Sequence, residues 1–350
     1  MEIDELGTRA RVAARRQCAT VASRPPAACA DPVLRQCITA AHRAAFEADG
    51  FVVIQSLIGI ATCVALQERL EKVLRGNGDL GLPDKAPTFR PETRCKKGKV
   101  PPALGGPSKR TLQLINCWKA DSEFRALVRS PRLGEVVATL AGWNAGARVA
   151  NDQIWAKPPG ARALSFHRDS AYFDFVPADV VTVWIALDDM DHELGPLEYV
   201  HGSHKWCDAL GSAAQFFVRG GGGHRDHLLA AAALETPPLA ERDLVISEVG
   251  VRAGGCGIHN GRTWHGSGGN SSRTKPRRGL GVHFVPANAV FRDVSSRTTL
   301  AARQAFGAPA ASGASGRGSD SGSGSGGDLA TSASAALDDA LFPVTWRPAS

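Results

Sequence analysis

Residues 147–187 carry the pattern that indicates the fold class, and they read ARVANDQIWAKPPGARALSFHRDSAYFDFVPADVVTVWIAL. Two apolar runs, Arg148–Ala156 and Val180–Leu187, flank a Pro-Pro-Gly turn and the motif His167-Arg-Asp169. Many short strands with turn signals between them are typical of a sandwich or barrel of the jelly-roll kind. Further short apolar runs follow at Leu197–Val200, Leu244–Val249, Gly257–His259 and Gly279–Val285.

The residues before position 147 predict helices around one short strand. Phe51–Ile54 is a short apolar run that predicts the strand. Residues 84–110 are basic and loop-like, and we interpret them as a solvated loop, with a contact for an acidic substrate as the alternative. Helical spacing of apolar residues predicts helices at Ala41–Gly50, Ile60–Leu74, Asp121–Leu127 and Pro131–Leu140.

Changes in composition along the chain divide it into four segments. Residues 1–40 show no sustained periodicity and are expected to form a mobile arm, whereas residues 41–305 are expected to form the main domain. Residues 306–337 are rich in Ser and Gly, with 13 of these between positions 311 and 330, which is typical of a flexible linker. Residues 338–350 contain the apolar run Leu341–Trp346, which we expect to dock on the core.

Aromatic content and the length of the apolar runs argue against two classes of partner. The net charge of +7 permits nucleic-acid binding, but only 6% of the residues are aromatic, without the alternation of basic and aromatic residues that single-strand-binding proteins use. We therefore expect no nucleic-acid partner. The longest apolar run, Val180–Leu187, is far shorter than the roughly 20 residues of a membrane-spanning helix, so we expect no membrane partner.

The cysteines indicate a reducing compartment. No two of the 8 cysteines have the Cys-x-x-Cys spacing of a zinc or redox site, and we expect no secretory signal after Met1. Isolated thiols are typical of intracellular proteins. We take the cytoplasm as the default location and leave a peroxisome or another organelle open.

The motif His167-Arg-Asp169 is the first candidate for metal binding. Residues two apart on an extended segment point to the same side, so one imidazole and one carboxylate can bind one ion. His265 follows 98 residues later, in the segment WHGSGGN. Two histidines and one carboxylate that leave coordination positions open form the facial triad of non-haem Fe(II) oxygenases. We therefore predict an Fe(II) site at His167, Asp169 and His265.

Two other histidines compete with this assignment. His224 begins a second His-x-Asp motif, but it lies in a Gly-rich insertion, residues 206–241, and we interpret it as part of a solvated loop. His259 lies six residues before His265 and lacks the Gly-Ser-Gly context that follows His265. We favour a supporting or core role for His259 over metal binding.

The strand predicted at Arg277–Val285 suggests an anion site. Alternation places Arg277, Gly279, Gly281 and His283 on one face of it. A guanidinium at the end of a face that two glycines leave open suits one carboxylate of a small dicarboxylate, held through two hydrogen bonds. Arg278 takes this role if the register of the strand is shifted by one residue.

The order of the motifs resembles the phytanoyl-CoA dioxygenase family of iron- and 2-oxoglutarate-dependent oxygenases. The resemblance covers about residues 41–290 and implies a mainly β fold with flanking helices, a double-stranded β-helix or cupin-like jelly roll with the helices packed on one side. The segments that carry it are DGFVV (49–53), FHRD (166–169), YFDF (172–175), VTVWIAL (181–187), GPLEYV (195–200), GSHK (202–205), HGSGGN (265–270) and RRGL (277–280).

The resemblance also assigns roles to individual residues. It implies that His167, Asp169 and His265 are the iron ligands and the catalytic centre. It further implies which residues contact the cosubstrate 2-oxoglutarate. The contacts that it implies are Arg277 and Ser267 on the distal carboxylate, Gln153 and Trp184 at other positions, and Gln113 near a further position.

The activity that the resemblance implies is that of a 2-oxoglutarate-dependent dioxygenase. Such an enzyme hydroxylates a small organic substrate with Fe(II) and O2 and releases succinate and CO2. A branched acyl-CoA is one candidate substrate, because the YFDF segment resembles members that act on such compounds, and ascorbate is a candidate supporting reductant. The alternative is a non-catalytic metal- or ligand-binding member of the same fold. Substrate identity, desaturation or ring closure, and oligomeric state stay open.

Overall fold

The computed structural model of the chain describes residues 31–34, 38–84, 110–208, 223–292 and 336–349. These residues fall within one compact unit that begins at Asp31. The predicted mobile arm, the basic loop and the Ser/Gly-rich linker lie largely outside the described residues, so the roles assigned to them stay predictions.

The described residues form six α-helices whose ends follow local signals. Thr39 caps the first helix by accepting a hydrogen bond from the backbone N–H of His42 at 3.2 Å, and Gly50 ends it with a left-handed φ of 86°. None of the helices described is long and apolar enough to cross a membrane. The helices are α1 (Ala40–Asp49), α2 (Ile60–Leu74), α3 (Cys117–Ala120), α4 (Ser122–Val128), α5 (Pro131–Ala141) and α6 (Asp226–Ala232).

Thirteen strands in the described part of the chain form two main sheets and a small ribbon. The larger sheet has the order β1-β9-β6-β11-β3-β13, with β2 also paired to β3, and the smaller sheet has the order β4-β10-β7-β8. The ribbon consists of β5 and β12. The strands are β1 (Phe51–Ile54), β2 (Leu112–Ile115), β3 (Ala147–Lys157), β4 (Leu164–His167), β5 (Phe175–Val176), β6 (Val181–Ala186), β7 (Leu197–Val200), β8 (Ile246–Glu248), β9 (Cys256–Asn260), β10 (His265–Ser267), β11 (Arg277–Pro286), β12 (Val290–Phe291) and β13 (Val344–Trp346).

The two main sheets are antiparallel and face each other across one cavity, to which both contribute side chains. The predicted jelly-roll fold with flanking helices is therefore confirmed. Within the larger sheet, side chains alternate between an apolar core and the cavity. On β11, Leu280 and Val282 pack in the core, whereas Gly281 and His283 line the cavity. The helices α2, α4 and α5 cover the core face with Leu66, Leu70, Phe124, Leu133 and Val137.

The smaller sheet is covered on its outer side by α6. Leu228 of this helix packs with Phe166, Val200 and Trp264 of the sheet and its neighbouring turn. The helices therefore cover both main sheets. The interpretation of the second His-x-Asp motif as part of a solvated loop is wrong, because residues 226–232 are helical and contribute to a buried cluster.

The C-terminal segment, residues 336–349, packs onto the main domain. Its strand β13 pairs with β3, and Phe342, which is 1% exposed, packs edge-on against Phe291 at 5.7 Å between ring centres. The buried guanidinium of Arg148 donates to the carbonyl oxygens of Leu337 and Phe342 at 3.2 and 2.9 Å. Apolar packing and the hydrogen bonds of Arg148 together attach this segment to the larger sheet.

Phe342→Ala should reduce the free energy of unfolding by about 3–5 kcal/mol, because it removes a fully buried aromatic ring and leaves a cavity. Leu341→Ala, in the same segment, should cost about 1 kcal/mol or less, because Leu341 is only partly buried. Urea unfolding of both variants measures the difference. Equal losses would show that Phe342 does not anchor the segment.

Candidate active site

Two histidines and one aspartate converge between the two main sheets. His167 ends β4 and His265 begins β10, and antiparallel pairing sets these two residues directly opposite each other. Asp169 follows in a short turn of 3-10 helix. Its Oδ1 lies 3.7 Å from Nε2 of His167 and 3.6 Å from Nε2 of His265. Within the described residues, these three side chains are the one group whose ligand atoms lie close enough to hold a metal ion.

Backbone carbonyls determine the protonation of both histidine rings. Nδ1 of His167 lies 2.9 Å from the carbonyl oxygen of Ser165, and Nδ1 of His265 lies 3.0 Å from that of Thr263. Since a carbonyl oxygen only accepts, each Nδ1 carries a proton and donates it. Each Nε2 is then unprotonated, and its lone pair is on the side of the ring nearest Asp169, as in metal-binding histidines.

A hydrogen-bond network holds the carboxylate of Asp169 from behind. Its Oδ2 accepts hydrogen bonds from the Thr182 hydroxyl at 2.6 Å and from Nε2 of His259 at 3.0 Å. Nδ1 of His259 in turn accepts a hydrogen bond from the Tyr199 hydroxyl at 2.8 Å. His259 therefore orients the carboxylate and lies outside the metal-ligand cluster, and Oδ1 is left to face the two imidazoles.

Burial gives the cluster the charge state that binds a divalent cation. It lowers the pKa values of His167 and His265 to about 4, so both rings are neutral at pH 7. Burial alone would raise the pKa of Asp169, but the surrounding histidines, His265 and His283 first, hold that pKa well below its usual range. Metal ligands must be deprotonated. Two neutral imidazoles beside one carboxylate are therefore a donor set that fits Fe(II).

A cavity connects the histidines with Arg277. Arg277 is fully buried, its guanidinium carbon lies 5.1 Å from the ring centre of Trp184, and its Nη2 donates to the carbonyl oxygen of Gly195 at 2.9 Å. Burial lowers the pKa of Arg277 to about 10, which leaves the group charged at pH 7. A guanidinium in this position can bind a carboxylate through charge-assisted hydrogen bonds.

Glycines on β11 make room beside the guanidinium. A Cβ atom at Gly279 would lie 2.2 Å from the Trp184 ring, so a larger residue would displace that ring. Gly281 is paired with Trp184 on the neighbouring strand and lines the cavity. The Trp184 ring therefore occupies the space over Gly279, and the strand face is open at Gly281.

Arg278 points to the other side of β11 and is bound there. Its Nε donates to Oδ2 of Asp188 at 2.9 Å, and its backbone N–H donates to the same oxygen at 2.7 Å. Asp188 follows β6, so this ion pair ties the ends of two neighbouring strands together. The register of β11 thus places Arg277, and not Arg278, in the cavity.

The other residues expected to contact a cosubstrate lie on the walls of the same cavity. Gln153, Trp184 and Ser267 all line it together with Arg277. Gln113 lies one strand further out, on β2, and its Nε2 donates to Oε1 of Gln153 at 2.9 Å. Gln113 therefore orients the Gln153 amide.

Lys157 is a residue of this region that the sequence analysis did not identify. It is fully buried on β3, directly opposite Arg277 of β11, and its Nζ donates to Oγ of Ser267 at 2.7 Å. Strand alternation could have found it, because Gln153 and Lys157 are four residues apart on one strand and share a face. A lysine before a Pro-Pro-Gly turn is, however, more often the exposed end of a strand.

Aromatic and aliphatic side chains form much of the remaining cavity wall. Tyr172 and Phe173 come from the turn that follows Asp169, and Trp155, Leu164 and Leu197 come from the two main sheets. These side chains present an apolar surface beside the metal-ligand cluster.

The second His-x-Asp motif takes a different role. Nε2 of His224 lies 3.2 Å from Oε2 of Glu198, and Arg225 donates to Oε1 of the same carboxylate at 2.9 Å. Asp226 is the first residue of α6. The motif therefore attaches the end of the insertion to the buried carboxylate of Glu198 on β7.

The chain matches the sequence model of one protein family over more than half of its length. The matching family is phytanoyl-CoA dioxygenase (PhyH), and the match covers residues 46–279. It includes His167, Asp169, His265 and Arg277. The resemblance found in the sequence is therefore confirmed.

Curated relatives are similar over part of their length. A probable alpha-ketoglutarate-dependent hypophosphite dioxygenase of Stutzerimonas stutzeri is 28% identical over 167 residues, which are 47% of this chain and 53% of that protein. The peroxisomal phytanoyl-CoA dioxygenase of Homo sapiens is 25% identical over 174 residues, 48% of each chain. The chain thus spans about half the length of these relatives.

Solved structures show the same fold at low sequence identity. The non-haem alpha-ketoglutarate-dependent carbocyclase SnoK from nogalamycin biosynthesis aligns with a TM-score of 0.54 and 22% identity, over 73% of this chain and 86% of that chain. The epimerase SnoN from the same biosynthesis aligns with a TM-score of 0.53 and 21% identity, over 72% and 84% of the two chains. These alignments support the cupin-like fold.

Replacing any one of the three candidate ligands should strongly weaken Fe(II) binding. His167→Ala, Asp169→Ala and His265→Ala each remove one of three protein ligands. Loss of a hydrogen-bond partner of a metal ligand typically lowers metal affinity by about 10–100-fold. Loss of a ligand itself should lower Fe(II) affinity further, by roughly 100-fold or more. Titration with Fe(II) under nitrogen measures the affinity.

His224→Ala is the matched control for these variants, because His224 belongs to the same motif type and contacts Glu198 instead. It should bind Fe(II) like the unaltered protein. Loss of Fe(II) binding in His224→Ala together with retention in His167→Ala would place the Fe(II) site at the second His-x-Asp motif.

Proposed function

The chain belongs to the phytanoyl-CoA dioxygenase family, and on that premise we propose that it is an Fe(II)- and 2-oxoglutarate-dependent dioxygenase that hydroxylates a small organic substrate. The observation that carries the proposal is that the metal-ligand cluster and the buried Arg277 line one cavity. A dicarboxylate with a 2-oxo acid group needs both features, since one end binds the metal and the other needs an anchor.

The three candidate ligands suit the chemistry of this family. A facial arrangement of two histidines and one carboxylate leaves positions open for cosubstrate and oxygen. Bound Fe(II) would supply oxygen activation, with 2-oxoglutarate as reductant, so that one oxygen atom enters a substrate C–H bond and the other leaves in succinate beside CO2. The protein contributes the geometry: the carbonyls of Ser165 and Thr263 and the hydroxyl of Thr182 hold the three ligands in place.

Arg277 and Ser267 are the proposed anchor of the distal carboxylate of 2-oxoglutarate. Arg277 uses Nε and Nη2 on the carbonyl oxygen of Gly195, so the guanidinium is held in one orientation before a ligand arrives. Its planar fork matches a carboxylate. Trp184 packs over the guanidinium and, with Gln153, limits the access of water to this end of the cavity.

The substrate is proposed to approach along the apolar wall formed by Tyr172 and Phe173. A hydrocarbon part of the substrate gains free energy from contact with these side chains, and the wall places it beside the metal-ligand cluster. An acyl-CoA is the first compound to test, with ascorbate as supporting reductant. The basic residues that could meet CoA phosphates lie in 84–110, nearly all of it outside the described residues.

Arg277→Gln should raise the concentration of 2-oxoglutarate needed for half-maximal succinate formation by about 10–100-fold. Hydrogen bonds to charged groups are worth roughly 1.5–3 kcal/mol, and about 1.4 kcal/mol corresponds to a factor of ten. Iron affinity without cosubstrate should hardly change, because Arg277 is not a ligand. A 2-oxoglutarate titration of succinate formation, with Fe(II) binding measured alongside, gives both quantities.

Arg278→Gln is the control, since it makes the same chemical change on the opposite face of β11, where Arg278 pairs with Asp188. Its 2-oxoglutarate requirement should match that of the unaltered protein. If Arg278→Gln raised the 2-oxoglutarate requirement and Arg277→Gln did not, Arg277 would not be the anchor of the cosubstrate.

A further inference from the structure

Lys157 is a buried basic residue at the same end of the cavity as Arg277. It is fully buried, and its position on β3 is paired with that of Arg277 on β11. Burial and then the charge of Arg277 lower the pKa of Lys157, whereas Glu198 opposes this shift. Two basic groups buried beside each other are costly, so the fold must gain something from having both.

The hydrogen bonds of Lys157 show what it acts on. Nζ donates to Oγ of Ser267 at 2.7 Å and to the carbonyl oxygen of Gly268 at 2.5 Å. Because Oγ of Ser267 accepts from Lys157, the hydroxyl proton of Ser267 is directed away from the lysine. Ser267 lines the cavity together with Arg277, so this proton can be donated to a ligand there.

The backbone around Ser267 is tied to the backbone around Arg277. A Cβ atom at Gly195 would lie 2.4 Å from the carbonyl oxygen of Gly268, so the two turns touch at that point. Arg277 holds the Gly195 side of this contact and Lys157 holds the Gly268 side. The two basic residues thus attach the two turns that meet at the anion site.

We propose that Lys157 is a positioning residue of the cosubstrate site, which orients the Ser267 hydroxyl as a donor to the distal carboxylate. This inference rests on the proposed function, because it assumes that 2-oxoglutarate binds with this carboxylate at Arg277. Lys157 acts through Ser267 and does not itself contact the ligand. Its removal should therefore affect only ligands that carry the distal carboxylate.

The test compares two ligands in calorimetric titrations of the Fe(II)-loaded protein under nitrogen. 2-Oxoglutarate carries the distal carboxylate, whereas 2-oxobutyrate keeps the 2-oxo acid group and lacks it. The variants are Lys157→Met, Ser267→Ala and the double variant. Lys275→Met is the matched control, because it makes the same change at an exposed position near the site.

Lys157→Met and Ser267→Ala should each weaken 2-oxoglutarate binding about tenfold, since each removes the same oriented hydrogen bond to a charged group. The double variant should also lose only about tenfold in 2-oxoglutarate affinity, because the effects of two residues that act through one contact do not add. Binding of 2-oxobutyrate should be unchanged in all of them, and Lys275→Met should bind both ligands like the unaltered protein.

Three results would overturn the inference. These are an unchanged 2-oxoglutarate affinity in Lys157→Met, a roughly hundredfold additive loss in the double variant, and an equal loss for 2-oxobutyrate, which would indicate a merely structural lysine. If Lys157→Met does not fold, Ser267→Ala still decides, since full retention of 2-oxoglutarate affinity there contradicts the proposal. If the unaltered protein binds no 2-oxoglutarate at all, the proposed function itself fails.

Discussion

The pairing of β10 with β4 is the constraint on which the site depends. It places His265 directly opposite His167, and the Cα atoms of paired residues on antiparallel strands lie only about 4.5–5.5 Å apart. Two imidazoles that are distant in sequence are thereby brought together by backbone hydrogen bonds alone. Asp169 needs only a short turn after β4 to join them. A register slip of one residue would turn one imidazole to the outer face of the sheet, where α6 packs.

The larger sheet supplies the other end of the cavity by the same physical means. Strand β3 pairs with β11 along nearly its whole length, and alternation sends Ile154 and Leu280 into the core while Gln153 and Gly281 face the cavity. The helices on the core face hold this orientation, since reversing it would expose the apolar residues to water. Arg277 is the first residue of β11. The sheet therefore sets the distance between this buried guanidinium and the metal-ligand cluster.

Local sequence patterns were sufficient for the elements that carry a clear period and for the metal motif. The predicted bounds of Ile60–Leu74 and Leu197–Val200 match the structure, because apolar spacing reports the buried face directly. His167 and Asp169 could be identified because they lie two residues apart in one motif. The alternation of β11 likewise separates Arg277 from Arg278.

Features that arise from contacts distant in sequence could not be predicted in this way. Strand β2 has only four residues, and its hydrogen bonds are made with β3. The burial of Lys157 depends on Ser267, which is 110 residues away, and nothing in its local sequence separates it from an exposed lysine. The local sequence around His224 predicts a solvated loop for the same reason, since its partner Glu198 is 26 residues away on another strand.

We propose that one cavity binds Fe(II) at its histidines and the distal carboxylate of 2-oxoglutarate at Arg277. Anomalous diffraction at the iron absorption edge, from crystals grown with Fe(II) and 2-oxoglutarate under nitrogen, tests it most directly. We expect a single anomalous peak between His167, Asp169 and His265, with carboxylate density against Arg277 and Ser267. An iron peak elsewhere, or a carboxylate bound away from Arg277, would contradict it.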